Sequence, residues 1–191
     1  MSNLHWQNKE SKLIADCRVF SVYCNLAQAP GKEEIRDFYV LKLSNWATII
    51  PVTVDRQVVL VKQYRHGTSQ VTLEFPGGIV DLHEKDPRLT ASRELFEETG
   101  YREKQLIHIG QHHPNPALQD NVCDVFLALN VEKISEPAFD TEGYEQIELC
   151  LKPLREVSEL IASGDITHSA MITAFYYLEL YEKKNPNIFV R

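Results

Sequence analysis

Three carboxylates, Glu94, Glu97 and Glu98, stand three and four residues apart within Arg93-Glu94-Leu95-Phe96-Glu97-Glu98-Thr99-Gly100-Tyr101. On a helix those spacings bring them to one face. Like charges so placed repel by roughly a few tenths of a kcal/mol per pair. A hard divalent cation such as Mg²⁺ turns the repulsion into binding, because it takes oxygen ligands and keeps waters that a substrate or nucleophile replaces. Arg93 lies one turn before Glu97, placed to neutralise and orient that carboxylate through a bidentate pair. Upstream, Gly77-Gly78 lets the backbone pass close to a ligand or metal where a Cβ would obstruct it. Strand, Gly turn, then helix is the layout of many phosphate sites. Here the helix face is acidic, so phosphate must be bridged by cations, as in two-metal phosphoryl chemistry. Alone, Glu-Leu-Phe-Glu-Glu reads as a solvated charged face; Gly77-Gly78, Glu84, Arg93 and Gly100 around it favour a site instead.

The elements that position these residues are legible on both sides. Thr72-Leu73-Glu74-Phe75 reads as a short strand stopped by Pro76-Gly77-Gly78. A helix follows, with Asp86 as N-cap, Pro87 at its first position and Gly100 at its left-handed end. Before them, 46–54 and 57–64 are strands joined at a tight Asp55-Arg56 turn. In residues 12–43, 13–23 is a partly alternating strand, Pro30-Gly31-Lys32 a turn, and 35–43 the return strand. After the helix come strands near 105–110, 122–129 and 146–151, then helices over 153–162 and 168–183. The sum is a mixed α/β fold with a central sheet between helices. Residues 1–45 form an antiparallel strand unit with little core of its own, and 46–191 the main domain. The first unit needs the main domain or a second subunit to cover its apolar face.

A chain of 191 residues, 43% hydrophobic and 25% charged, accommodates one substantial core. A formal net charge of −7 argues against holding nucleic acid through a basic surface, but not against a small anionic substrate reached through a metal. No apolar run approaches the roughly 20 residues a membrane span needs. The N-terminus has no apolar segment of a signal peptide; a cytoplasmic protein is expected. Cys17, Cys24, Cys123 and Cys150 lack C-x-x-C spacing, so reduced, mostly buried thiols are expected rather than a zinc site or disulfides.

Residues 78–101 resemble the Nudix box, G-x5-E-x7-R-E-U-x-E-E-x-G-U with U apolar. Every fixed position matches; eight residues rather than seven separate Glu84 from Arg93. The extra residue falls in Lys85-Asp86-Pro87-Arg88, ahead of or at the helix start, and leaves the acidic face intact. The resemblance implies a Nudix α/β/α sandwich with a mixed central sheet, here with an N-terminal antiparallel strand subdomain. It implies hydrolysis of a nucleoside diphosphate linked to another moiety. It makes Glu94 and Glu98 the principal ligands of Mg²⁺, with Mn²⁺ as the alternative ion. Glu97 is then a further or water-mediated ligand, the Gly77 carbonyl a backbone ligand, and Arg93 and Glu84 organisers around them.

Beyond the box, Ile49-Ile50-Pro51-Val52, Val58 to Gly67 with Gln63-Tyr64-Arg65, and Leu73-Glu74-Phe75-Pro76-Gly77-Gly78 resemble the ADP-ribose pyrophosphatase branch. Pro116 stands where that branch has a proline after the box. The branch implies nucleoside diphosphate sugars as substrates and a homodimer in which the N-terminal strand unit packs across its partner. Arg65 then contacts the diphosphate, and Glu74 is an additional metal or terminal-ribose contact. Arg36 of the partner subunit reaches toward substrate. Phe38, Tyr39 and Trp46 are candidates to stack on the base, against a competing role in the core. The general base is Glu145, with Glu142 second, against the reading of 140–148 as a solvated acidic loop. Asn115 to Asn121 departs from the loop common in ADP-ribose specialists, which leaves room for hexose conjugates. His112 and His113 read as loop packing. Two alternatives stand beside this one: a Nudix hydrolase of dinucleotides or nucleoside triphosphates, and a non-catalytic nucleotide-sensing module. The second usually lacks a box carboxylate, and none is missing here.

Overall fold

Near-continuous apolar runs, buried on both faces, build the main sheet. The computed structural model describes residues 4–81, 83–84, 86–138 and 146–189, in two units. The first unit comprises residues up to Asn45 together with His113–Val122. Its strands β1 (Gln7–Asp16), β2 (Phe20–Gln28) and β3 (Ile35–Leu43) form an antiparallel sheet in that order. The stretch 13–23, read from sequence as one strand, breaks at Cys17–Val19, where Arg18 takes a φ of 65° and the chain reverses. A residue without glycine's freedom gives little warning of such a turn. Leu118 is tied to β3 because the Leu41 N–H donates to its carbonyl (2.8 Å). Leu13, Ile14, Ile35, Phe38 and Tyr39 stay exposed on this unit. Among its described hydrophobic residues only Ala27 is buried, so the sheet carries almost no core.

The second unit begins with β4 (Trp46–Val52), β5 (Gln57–Arg65), β6 (Gln70–Glu74) and β7 (Gly77–Ile79), followed by helix α1 (Pro87–Thr99). Strands β8 (Tyr101–Arg102), β9 (Gln105–His112), β10 (Cys123–Leu129), β11 (Glu132–Lys133) and β12 (Ile147–Pro153) come next. A 3₁₀ turn (Leu154–Glu156) leads into α2 (Val157–Ala162), and α3 (Ser169–Lys184) closes the chain. The central sheet runs β12-β5-β4-β10-β9, with β6 on β5 and β7 on β4; β4 and β10 are parallel and the other pairs antiparallel. Ala47, Ile49, Val59, Phe126 and Ala128 turn to α1 and pack on Ala91 and Leu95. Their neighbours Ile50, Val52, Val58, Leu60, Val125 and Leu127 turn the other way, onto Val157, Ala170, Met171, Ala174 and Leu178. The period of two thus feeds two cores, and the architecture is an α/β/α sandwich. Burying one such side chain contributes roughly 1.5–3 kcal/mol.

A split in this sheet positions the site. β4 and β5 pair only at Val52 with Val58 and then diverge. β6 continues along β5 from Val61 to Arg65, while β7 lies along β4 from Trp46 to Thr48. Phe75-Pro76 crosses between them, with the Ile49 N–H donating to the Pro76 carbonyl (2.9 Å). Gly77 and Gly78, read with Pro76 as a simple strand stop, therefore open a three-residue strand that ends at Ile79.

Cys123 is buried, and its surroundings push the thiol up to about 11, with burial the main cause. Cys17 is exposed and Cys24 and Cys150 are half-buried, which corrects the expectation of mostly buried thiols. All four are free. No helix among the described residues is long and apolar enough to cross a membrane.

Candidate active site

Helix α1 begins and ends as its sequence dictates. The Asp86 carboxylate accepts from the Arg88 N–H (3.0 Å), and Pro87 occupies the first turn. Gly100 ends the helix at φ 71°, its N–H donating to the Phe96 carbonyl (2.8 Å). Ala91 and Leu95 bury one side of the helix, which brings the acidic side onto β7. The Gly77 N–H donates to Glu98 Oε2 (2.9 Å), and Glu98 is itself buried. The Glu94 carboxylate lies over Gly78: a Cβ there would sit 2.3 Å from Glu94 Oε1. At Gly77 a Cβ would sit 2.3 Å from the Ala47 carbonyl oxygen of β4. The two glycines have different reasons to be glycine, one to admit the neighbouring strand and one to admit a carboxylate.

Arg93 is the hub of the acidic face. Its Nη1 lies 2.9 Å from Glu97 Oε2 and 3.0 Å from Glu94 Oε1; Nε is 3.7 Å from Glu84 and Nη2 3.8 Å from Asp81. The expected bidentate pair with Glu97 is replaced by a shared arrangement, because four carboxylates compete for one guanidinium. Burial works against the Arg93 charge, and the carboxylates around it more than compensate, so its pKa is raised. Glu84 accepts a hydrogen bond from the Thr90 hydroxyl at the start of α1. Lys85 lies outside the described residues; the helix begins past it, at Pro87, in register with the acidic positions.

A second cluster lies at the ends of β5 and β6. The Glu74 carboxylate is fully buried; Arg65 donates to it twice, Nε to Oε1 and Nη2 to Oε2, both at 2.8 Å. Thr72 Oγ1 donates to Oε1 (2.5 Å), and His168 Nδ1 lies 3.2 Å from Oε2. Burial alone would push this carboxyl up. The hydrogen bonds from Arg65, His168 and Thr72, with the Arg65 charge, override it and hold the group well below the usual carboxylate range. Glu74 thus turns its oxygens to protein donors, while the Arg65 side chain is half-exposed.

This depressed pKa has a testable consequence. A carboxyl titrating lower in the folded than in the unfolded chain stabilises the fold above its unfolded value, about 4.3 for Glu, and loses that contribution as pH falls toward the folded value. Thermal melts of Glu74→Gln against the parent are expected to differ by a constant amount above about pH 5 and to draw together progressively as pH falls below about 4. A gap that stays constant through that fall would show that the Glu74 charge contributes nothing.

Trp46 is half-buried at the start of β4, opposite Ile79 and Cys123. Arg36 and Phe38 belong to the first unit. There Arg36 pairs with the equally exposed Glu34 (3.1 Å), and Phe38 meets Trp6 edge-on, ring centroids 5.1 Å apart. His112 closes β9 with its ring tilted toward Tyr177 at 6.2 Å, and His113 lies 3.3 Å from the Asn121 carbonyl. Glu142 and Glu145 lie outside the described residues. Sequence reading missed Thr72, Asp81 and His168. Thr72 was findable, since residues two apart on a strand share a face. His168 was not, being 94 positions from Glu74.

The residues present fit a hard cation by donor chemistry. Glu94 and Glu98 are carboxylates at i and i+4, both laid against the Gly77-Gly78 backbone. Among the described residues no group of three or more His, Cys, Asp or Glu side chains is gathered into a finished cage. One or two carboxylates completed by water and substrate oxygens is the usual Mg²⁺ arrangement, in contrast to an all-protein cage.

A mixed sheet between helices is opened at one point by a Gly-Gly strand under an acidic helix face, an arrangement suited to cation-assisted chemistry on a phosphoric anhydride. The chain belongs to the Nudix family, whose NUDIX domain model matches residues 44–175. It groups with the ADP-ribose pyrophosphatase branch. It is 30% identical over 179 residues to an ADP-ribose pyrophosphatase of Bacillus subtilis, covering 91% of this chain and 95% of that one. It is 33% identical over 163 residues to a CMP-5'-(N-acetyl-N-hydroxy-3-aminopropyl)phosphonate hydrolase of Streptomyces rubellomurinus, covering 84% of this chain and 76% of that protein. A crystal structure of an ADP compounds hydrolase superposes with a TM-score of 0.83 at 18% identity, covering 98% of this chain and all of that one, a likeness of fold.

Proposed function

We propose that this Nudix pyrophosphatase cleaves the diphosphate of nucleoside diphosphate sugars, ADP-ribose or ADP-glucose among them, to a nucleoside monophosphate and a sugar phosphate. The observation that carries the reading is the pairing of Glu94 and Glu98 with the Gly77-Gly78 backbone, next in sequence to the Arg65–Glu74 cluster. The name of the Bacillus subtilis relative supports the substrate class.

In this reading Glu94, Glu98 and the Gly77 carbonyl hold Mg²⁺ or Mn²⁺, with Glu97 as a further or water-mediated ligand. The ion, when bound, neutralises phosphate charge and lowers the pKa of a bound water. Arg93 keeps the acidic carboxylates apart and oriented, and Glu84 steadies Arg93. Arg65 donates to the diphosphate, whose planar oxygen pairs suit a guanidinium. Glu145, or Glu142, takes the proton from the attacking water, which requires hydrogen-bond reach of it. The water oxygen bonds to one phosphorus, the bridging P–O bond breaks, and the bridging oxygen leaves with the second phosphate. Trp46 and Phe38 are the candidates to stack on the base, and Arg36 reaches toward the substrate from a second subunit. The nearly coreless sheet β1-β2-β3 supports a homodimer, because its exposed Leu13, Ile14, Ile35 and Tyr39 need a cover. A cytoplasmic setting suits such a substrate.

The Streptomyces relative is named for a conjugate of CMP with a phosphonate. That favours a second reading in which the nucleoside monophosphate is retained as a product and the group opposite it is not a sugar phosphate.

A panel of ADP-ribose, ADP-glucose, UDP-glucose, GDP-mannose, NADH and diadenosine polyphosphates, each with Mg²⁺ and with chelator, tests the proposal. The highest kcat/KM is expected on a nucleoside diphosphate sugar, with activity lost in chelator. Highest activity on the dinucleotides would overturn the substrate class. Sedimentation equilibrium of the same preparation is expected to give twice the 22.0 kDa chain mass; a monomer would remove the shared site.

A further inference from the structure

We propose that His168, at the entry to α3 and outside the acidic box, is a positioning residue of the diphosphate site: it holds buried Glu74, and through it the guanidinium of Arg65. The inference rests on the reading of Arg65 as the diphosphate contact.

The geometry is a clamp with matched ends. Each oxygen of Glu74 takes one donor from Arg65 and one from elsewhere: Oε1 from Thr72 and Oε2 from His168. An ionised carboxylate only accepts, so the Nδ1 of His168 carries the proton in this contact. Without it the carboxylate is pulled toward Thr72 alone, and the guanidinium plane rotates with it. The Arg65–Glu74 contact uses two of the five guanidinium N–H groups, on one edge; the other three lie on the opposite edges, away from Glu74. Fixing the plane at one edge pre-orders the other for a phosphate, which spares the rotamer freedom a long side chain otherwise loses on binding. Thr72 comes from the same strand as Glu74, but His168 comes from the far end of the chain. The first turn of α3 makes a second tie, since Met171 Sδ accepts from the Phe75 N–H (3.2 Å) just ahead of Pro76-Gly77-Gly78. Side chain and backbone of Glu74-Phe75 are therefore both referenced to α3, across the sheet from α1.

Steady-state kinetics on ADP-ribose with Mg²⁺ test this with His168→Asn, His168→Gln and His168→Leu, each alone and with Arg65→Ala. The Asn amide nitrogen reaches the place of Nδ1, whereas that of Gln reaches the place of Nε2. His168→Gln and His168→Leu are expected to raise KM about 10-fold with kcat within about 2-fold, and His168→Asn to stay within about 3-fold of the parent. In the Arg65→Ala background, the His168 replacements are expected to have no further effect on KM. Equal KM values for the Asn and Gln variants would overturn the proposal, as would effects of His168 and Arg65 that multiply. Should Arg65→Ala alone leave KM unchanged, the assignment of Arg65 to the diphosphate falls, and the positioning role with it. The Asn–Gln contrast decides the question even where His168→Leu fails to fold.

Discussion

Replacing Glu98 by glutamine is expected to lower kcat about 10³-fold while changing stability by about 1 kcal/mol or less. Glu98 is buried, and its Oε2 accepts from the Gly77 N–H. A glutamine oxygen can still accept that bond, so the tether between α1 and β7 survives. What disappears is the charge, on the group that with Glu94 is proposed to hold the cation. A hard divalent ion gains little from a neutral amide in place of a carboxylate. The loss therefore belongs in turnover rather than in folding. Single-turnover assays beside thermal melts separate the two. Near-normal turnover in a folded Glu98→Gln would remove Glu98 from the metal site.

The two glycines of β7 are expected to respond oppositely to alanine. In Gly77→Ala the new Cβ meets the Ala47 carbonyl oxygen at 2.3 Å and the Thr48 Cα at 3.0 Å. Both are backbone of a central strand, held in register by pairing of Gly77 with Thr48. The strand cannot yield locally, and a loss of about 3 kcal/mol is expected, at the upper end for overpacking. In Gly78→Ala the atoms nearest the new Cβ all belong to the Glu94 carboxylate, with Oε1 at 2.3 Å and Cδ at 2.4 Å. A flexible side chain can swing away, so stability is expected to fall by no more than about 1 kcal/mol. The displaced carboxylate is the proposed ligand, and misplacement of a catalytic group by about 1 Å can cost about 100-fold in rate. Denaturant midpoints and kcat for both variants check the contrast. A stable, fully active Gly78→Ala would mean that Glu94 needs no contact with that strand.

The parts of the fold that were legible in the sequence are those governed by local rules. Asp86, Pro87 and Gly100 bracket α1 because capping acts over one turn. The apolar runs of β4, β5 and β10 mark them as strands, and such near-continuous runs suit strands packed on both faces. The break at Arg18 was hidden because a left-handed arginine leaves no compositional trace. The acidic face was legible for the same reason as α1: its members lie within one turn. Arg93 was read with a single partner, because Asp81 and Glu84 approach it only through the loop before the helix. The contact of His168 with Glu74 depends on the start of α3 reaching the end of β6, a tertiary fact with no local sign. Glu142 and Glu145 remain proposals from resemblance, outside the described residues.

The central claim is that the acidic helix face and the Gly-Gly strand together cleave a nucleoside diphosphate sugar through a bound cation. Product analysis of ADP-ribose incubated with the purified chain tests it most directly, with Mg²⁺ and then with Mg²⁺ removed. The account predicts AMP and ribose 5-phosphate in equal amounts with the ion and neither without it. Intact ADP-ribose in the presence of Mg²⁺ and Mn²⁺, or cleavage unaffected by chelator, would contradict it.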